Sequence, residues 1–223
     1  MIRITDSAPL VELNGAGVNF CAEVQQHYRA LLRRLGWPPH DEAAPLQTLG
    51  VTSCHHGEGV TTVAAQLAAT AAATPGQRVL LVDAHLRSTP VKHSFGFTSQ
   101  AGFSDAVLAG SSDAVEICST RIPNLSLVTV GSAQQKPDLV YDSPSLPALV
   151  EELKSEFDLV VFDLPPCGGS HAPLRLAKQL DGVLLVIDAE RVRQPDARRV
   201  RQMLDQARVR LVGAVLNRQR IRG

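Results

Sequence analysis

Two aspartates, Asp83 and Asp163, each close an apolar run, and the stretch His56-Gly57-Glu58-Gly59-Val60-Thr61-Thr62 follows another. Paired carboxylates beside a glycine-bearing loop suit Mg²⁺ and an attacking water or hydroxyl, because phosphoryl transfer rests on positioning and charge neutralisation. In a phosphate-binding loop, glycines let backbone N–H groups curl round phosphate oxygens, and a hydroxyl at the start of the next helix holds the metal. Gly57, Gly59 and Thr61 occupy those places. The pattern G-x-x-x-x-G-K-[ST] also asks for a lysine that reaches the β- and γ-phosphates. Here that residue is Val60, and the pattern's leading glycine is Ser53. A charged hydrogen bond contributes ~1.5–3 kcal/mol, so the missing lysine weakens nucleotide binding roughly ten- to a hundredfold. Transfer should suffer more, since the same cation stabilises charge that grows in the transition state. Arg87, or an arginine from a neighbouring subunit, could restore part of that charge.

These residues need a scaffold that brings strand ends together. Six apolar runs, at 46–53, 78–83, 125–131, 158–163, 181–188 and 210–217, alternate with helical patterns. Strands that are apolar throughout and separated by helices predict an α/β fold: a doubly wound, mostly parallel sheet of about six to eight strands with helices on both faces. Ligands in such sheets sit at the carboxyl ends of the strands, where Asp83 and Asp163 lie. Ahead of the first of these strands, Val24, Tyr28, Leu31, Leu32 and Leu35 follow a helical period that ends at Gly36. That amphipathic helix could cap the sheet or meet another subunit. Further helices are expected at 104–110, 146–157 and 196–207, and a polar, proline-containing loop at 134–143. Along the chain this gives a flexible arm over 1–20, one domain over 21–217 and a basic tail over 218–223.

Twenty-two basic and twenty-two acidic residues cancel across 223 positions, yet ten arginines stand between residues 191 and 223 against Asp196 and Asp205. Such an end can meet phosphate, an acidic partner or a membrane surface, although a solvated helix face is the simpler expectation. Apolar runs stay shorter than the ~18–20 residues of a membrane span, and the first residues do not read as a signal peptide. Cys21, Cys54, Cys118 and Cys167 show no C-x-x-C pairing, which suits a reducing compartment. A cytoplasmic location is therefore expected.

Several stretches together resemble the cytoplasmic ATPase domain of the bacterial tyrosine kinases of capsule and exopolysaccharide synthesis, a branch of the deviant-P-loop partition ATPases. They are His56-Gly-Glu-Gly-Val-Thr61, Val79-Leu-Leu-Val-Asp83-Ala-His85-Leu-Arg87-Ser-Thr-Pro90, His93-Ser-Phe-Gly96, Gly102-Phe-Ser-Asp-Ala-Val-Leu-Ala-Gly110, Phe157-Asp-Leu-Val-Val-Phe-Asp163-Leu-Pro-Pro166 and Val215-Leu-Asn217. The resemblance implies a P-loop NTPase fold and ATP or ADP with Mg²⁺ as cofactor. It places Gly57, Glu58, Gly59, Val60, Thr61, Thr62, Arg87 and Asn217 around the nucleotide, Asn217 near the adenine. Thr61, Asp83 and Asp163 become the metal site, and the two aspartates the catalytic pair.

The chain departs from that pattern at four points. Val60 replaces the phosphate-binding lysine, and His85 replaces the second aspartate of the metal motif. The ring-assembly motif Glu-x-x-Arg-x-x-Arg is reduced to Gln26-His-Tyr-Arg29-Ala-Leu-Leu32, and Tyr28 and Tyr141 are the only tyrosines, so the terminal tyrosine cluster is missing. The expectation is a degenerate kinase-like accessory or regulatory protein of polysaccharide synthesis. It would lie at the inner face of the membrane through a membrane-anchored chain-length regulator and could form homo-oligomers. Two alternatives stand beside it: an active ATP-dependent tyrosine autokinase or ATPase, and a positioning ATPase of the partition or cellulose-synthesis type. Nucleic acid is not expected as a partner.

Overall fold

A computed structural model describes residues 4–5, 21–38, 46–86, 101–132, 137–169 and 171–218. Its elements in chain order are β1 (Ile4–Thr5), α1 (Ala22–Arg34), β2 (Thr48–Ser53), α2 (Val60–Ala72), β3 (Val79–Asp83), α3 (Phe103–Ala109), β4 (Ile117–Ser119) and β5 (Leu125–Val128). Then follow α4 (Pro137–Tyr141), α5 (Leu146–Glu156), β6 (Leu159–Asp163), α6 (Ala172–Ala177), β7 (Gly182–Asp188), α7 (Gln194–Gln206) and β8 (Leu211–Asn217).

The eight strands form one sheet in the order β1-β4-β5-β3-β6-β2-β7-β8. The six strands expected from the apolar runs are its contiguous parallel part, and β4 joins β5 antiparallel with β1 parallel to β4. Strand β1 lies within the expected N-terminal arm, whose other residues are outside those described. Every residue of β2, β3 and β6 is buried, as strands covered on both faces must be.

Alternation along these strands builds two cores. Leu80, Val82, Val160 and Phe162 face a cluster completed by α3, α5, α6 and α7, while Leu49, Val51, Leu81 and Val161 face α1 and α2. Helix α2 meets the sheet through alanine: Ala64, Ala65, Ala68, Ala69, Ala71 and Ala72 are all buried, and small side chains let the helix lie close to the strands. Helix α1 buries Leu32 and rests Tyr28, Leu31 and Leu35 on the α2 side of the core, so it caps the sheet through α2.

One expectation needs correction. The stretch read as a polar loop contains the short helix α4, started by Pro137, which fixes a helical φ at a first helical position. Its buried Val140 and Tyr141 pin it to the core, and the Tyr141 hydroxyl donates to the carbonyl oxygen of Ala84 at 2.6 Å. That bond ties α4 to the residue after Asp83. Tyr141→Phe should cost about 0.5–1.5 kcal/mol, the net worth of one hydrogen bond, read as a shift of the urea midpoint with unchanged slope.

Candidate functional site

The loop after β2 owes its shape to its two glycines. Gly57 and Gly59 adopt φ of 81° and 93°, a region that residues with a Cβ rarely enter. At Gly59, the N-cap of α2, a Cβ would also lie 2.4 Å from Nδ2 of Asn217. Any side chain there would displace the asparagine. Asn217 in turn donates from Nδ2 to the carbonyl oxygen of Glu58 at 2.8 Å, so the end of β8 clamps the loop.

Glu58 points inward rather than toward solvent. It is 2% exposed, and its carboxylate accepts from the His55 N–H at 2.6 Å and from the Asp188 N–H at 3.4 Å. A buried carboxylate satisfied by backbone donors is a brace, holding the loop across to the end of β7. In this structure Glu58 and Asn217 shape the cradle.

Val60 opens α2 and is 8% exposed, packed in the core on the α2 side. Thr61 beside it directs its hydroxyl to Oδ2 of Asp163 at 2.6 Å, and Thr62 is exposed. Asp83 and Asp163 are register partners at the ends of the adjacent strands β3 and β6, both buried. Oδ1 of Asp83 accepts from the His85 N–H at 3.0 Å, whereas Oδ1 of Asp163 has no hydrogen-bond partner among the described residues.

The electrostatics follow from burial. Desolvation pushes the Asp83 carboxyl up to about 6. Desolvation first, and then the charge of Asp83, hold Asp163 well above the carboxylate range. Two neighbouring carboxylates and a hydroxyl, one oxygen without a partner, form a hard-oxygen set suited to Mg²⁺. These residues fit the metal that the sequence implies. His85 stacks on His56 with ring centroids 5.7 Å apart, and burial followed by the charge of His56 lowers it to about 4. At neutral pH it is therefore uncharged, and adds no negative charge where the family pattern has an aspartate.

A cavity of about 240 Å³ opens beside the loop, lined by Cys54, His55, His56, Tyr141, Pro165 and Pro166 among others. Both histidines of the loop are exposed, and Nε2 of His55 lies 3.7 Å from Oδ2 of Asp196. Burial raises Cys54 to about 12 and Cys167 to about 11, which makes both thiols poor nucleophiles. No grouping of three or more His, Cys, Asp or Glu side chains among the described residues is placed to hold a metal.

The structure thus brings together Gly57, Glu58, Gly59, Val60, Thr61, Asp83, Asp163 and Asn217, while Arg87 lies outside the described residues. It adds Asp188, Arg191 and Arg218. Asp188 is fully buried at the end of β7 and pairs with Arg218 at 2.8 Å, and a Cβ on Gly57 would lie 3.8 Å from Nη1 of Arg191. Asp188 carried a signal in the sequence, since it ends an apolar strand as Asp83 and Asp163 do. The arginines carried none, because nothing local separates them from a solvated helix face.

The ParA family model, described as NUBPL iron-transfer P-loop NTPase, matches residues 46–222. Tyrosine-protein kinase CpsD of Streptococcus agalactiae is 28% identical over 171 residues, covering 76% of this chain and 73% of its own. The crystal structure of the VpsO kinase domain is similar with a TM-score of 0.75 and 30% identity, over 89% of this chain and 95% of that one. The septum site-determining protein MinD from Pyrococcus horikoshii OT3, complexed with Mg-ADP, shares the fold at a TM-score of 0.62 and 23% identity, over 77% and 70% of the two chains.

Proposed function

Because this chain belongs to the ParA-type P-loop NTPases, alongside the bacterial tyrosine-kinase domains, we propose that it is a nucleotide-binding, kinase-like accessory protein of polysaccharide synthesis whose own phosphoryl transfer is weak or absent. The observation that carries this reading is Val60: an aliphatic side chain turned into the core, at the position from which a lysine would reach the phosphates.

The remaining parts of the seat support binding. Backbone N–H groups at the α2 N-terminus face the loop, and helix α2 contributes its dipole. Thr61, Asp83 and Asp163 would hold Mg²⁺, which when bound would neutralise phosphate charge and orient the phosphates. Glu58 and Asn217 keep the cradle open without ligand. In this scheme nucleotide acts as a conformational ligand, and assembly with a membrane-anchored chain-length regulator carries the output at the inner membrane face.

The test is incubation with radiolabelled ATP and Mg²⁺, with and without the cytoplasmic segment of such a regulator. The proposal expects bound nucleotide with no labelled protein and no turnover above a blank. Phosphate transfer that Asp83→Asn abolishes would defeat it.

A second reading, turnover by this chain itself, is favoured by Arg191. Its guanidinium approaches Gly57 and its charge also acts on the Asp188 carboxylate, so it is a cation at the loop that Asp188 shares. On that reading Arg191→Ala lowers kcat at least tenfold while Arg191→Lys retains most of it, since a lysine can still present a charge there. A wild-type protein without turnover removes the second reading.

A further inference from the structure

The far edge of the sheet differs from the rest of the fold. Strand β8 pairs with β7 on one side and ends the sheet on the other. None of its seven residues is buried, and Leu216 is 56% exposed. Edge strands are ordinarily blunted by charge, proline or a bulge. Residues 211–217 contain neither proline nor charge, and the one irregularity is a bulge at Val212 of β8 itself, where Leu211 pairs with Val183 and Gly213 with the next residue, Leu184. From Gly213 to Leu216 the ladder is regular, and among the described residues no further strand pairs with its outer backbone groups.

A groove of about 630 Å³ runs along this edge. Ile187 of β7 with Leu211 and Ala214 of β8 form its apolar floor, and Ala197, Arg198 and Arg201 of α7 form one wall. Arg210 lies at its end, and Asp205 is the one acidic side chain in the lining, 3.8 Å from Arg201. Arg198 and Arg210 have no ion pair among the described residues, so the rim is positive.

From this edge we propose that β8 and the α7 groove receive an extended acidic segment of a partner protein, added to the sheet as a ninth strand. Its alternate apolar side chains lie on the groove floor, and its carboxylates meet Arg198, Arg201 and Arg210. Main-chain bonding to an open edge gives affinity, and side chains on alternate positions give specificity. Other occupants fit less well. A second copy pairing β8 to β8 would set two arginine rims against each other. Nucleic acid would find no aromatic ring in the lining to stack on, and a flat lipid surface does not fill a concave groove. This assignment is independent of nucleotide chemistry at the loop.

The probe is a fluorescent ten-residue peptide of alternating Glu and Val, compared with its Lys and Val counterpart. The Glu peptide should bind at least tenfold more tightly, weaken with added salt, and slow hydrogen exchange at residues 211–217. The triple variant Arg198→Glu, Arg201→Glu, Arg210→Glu changes only exposed side chains, and a thermal melt checks its fold. It should reverse the preference. Equal binding of the two peptides, binding of neither, or protection elsewhere than β8 overturns the proposal. So does displacement of the Glu peptide by self-association, by anionic vesicles or by duplex DNA.

Discussion

Val60→Lys should raise the affinity for ATP with Mg²⁺ roughly ten- to a hundredfold, the worth of one charge-assisted hydrogen bond of ~1.5–3 kcal/mol. The effect requires a cradle that already has its shape, and the structure supplies one through the Asn217 clamp and the Glu58 brace. Burial of Val60 sets the opposing cost, since a lysine must carry its ammonium out from the first turn of α2 to the loop mouth. Its four-carbon stem allows that while still covering apolar surface. The gain should depend on phosphates: large for ATP, smaller for ADP and absent for adenosine. Fluorescence titration with the three ligands reads it. Equal gains for all three, or none for any, would mean that the α2 N-terminus does not face phosphate.

The second large effect concerns the aspartate pair. Asp83 has its folded-state value raised from 3.8 to about 6, and Asp163 is raised as well. For a carboxyl shifted upward, the stabilising contribution is complete below the unfolded value and is lost as pH rises through the folded one. The metal-free protein should therefore become less stable between about pH 4 and pH 7. Asp83→Asn removes one of the two buried charges. In the absence of Mg²⁺ it should be more stable than the wild type at pH 8, by roughly 1–3 kcal/mol, and similar to it near pH 4.5. Mg²⁺ should invert the comparison by stabilising the wild type at pH 8 and leaving the variant unchanged. Denaturant midpoints across that pH range decide it. A wild type whose stability is flat with pH, or a variant destabilised at pH 8, contradicts the placement of these carboxyls.

Much of this was legible in the residue pattern, for definable reasons. Six strands announced themselves because parallel strands covered on both faces must be apolar throughout, and Asp83 and Asp163 were visible as the polar ends of two of them. Their convergence needed only that β3 and β6 be neighbours, which the register confirms. Short elements escaped. Two residues of β1 and three of β4 are too few to show a period, and α4 has a helical start at Pro137 but only two buried side chains to mark its face. At the site, the inward turn of Glu58 was hidden because its partners include Asp188, far along the chain. The approach of Arg191 to Gly57 is likewise a product of β7 lying beside β2. Long-range contacts of this kind leave no local signature.

On the proposed reading a nucleotide seat persists where the lysine does not. Calorimetric titration of the wild-type protein with ATP, with and without Mg²⁺, is the decisive measurement. Saturable one-to-one binding that tightens with Mg²⁺, with the ATP recovered intact afterwards, is the predicted result; no heat of binding in either condition, or ATP converted to ADP during the titration, would contradict it.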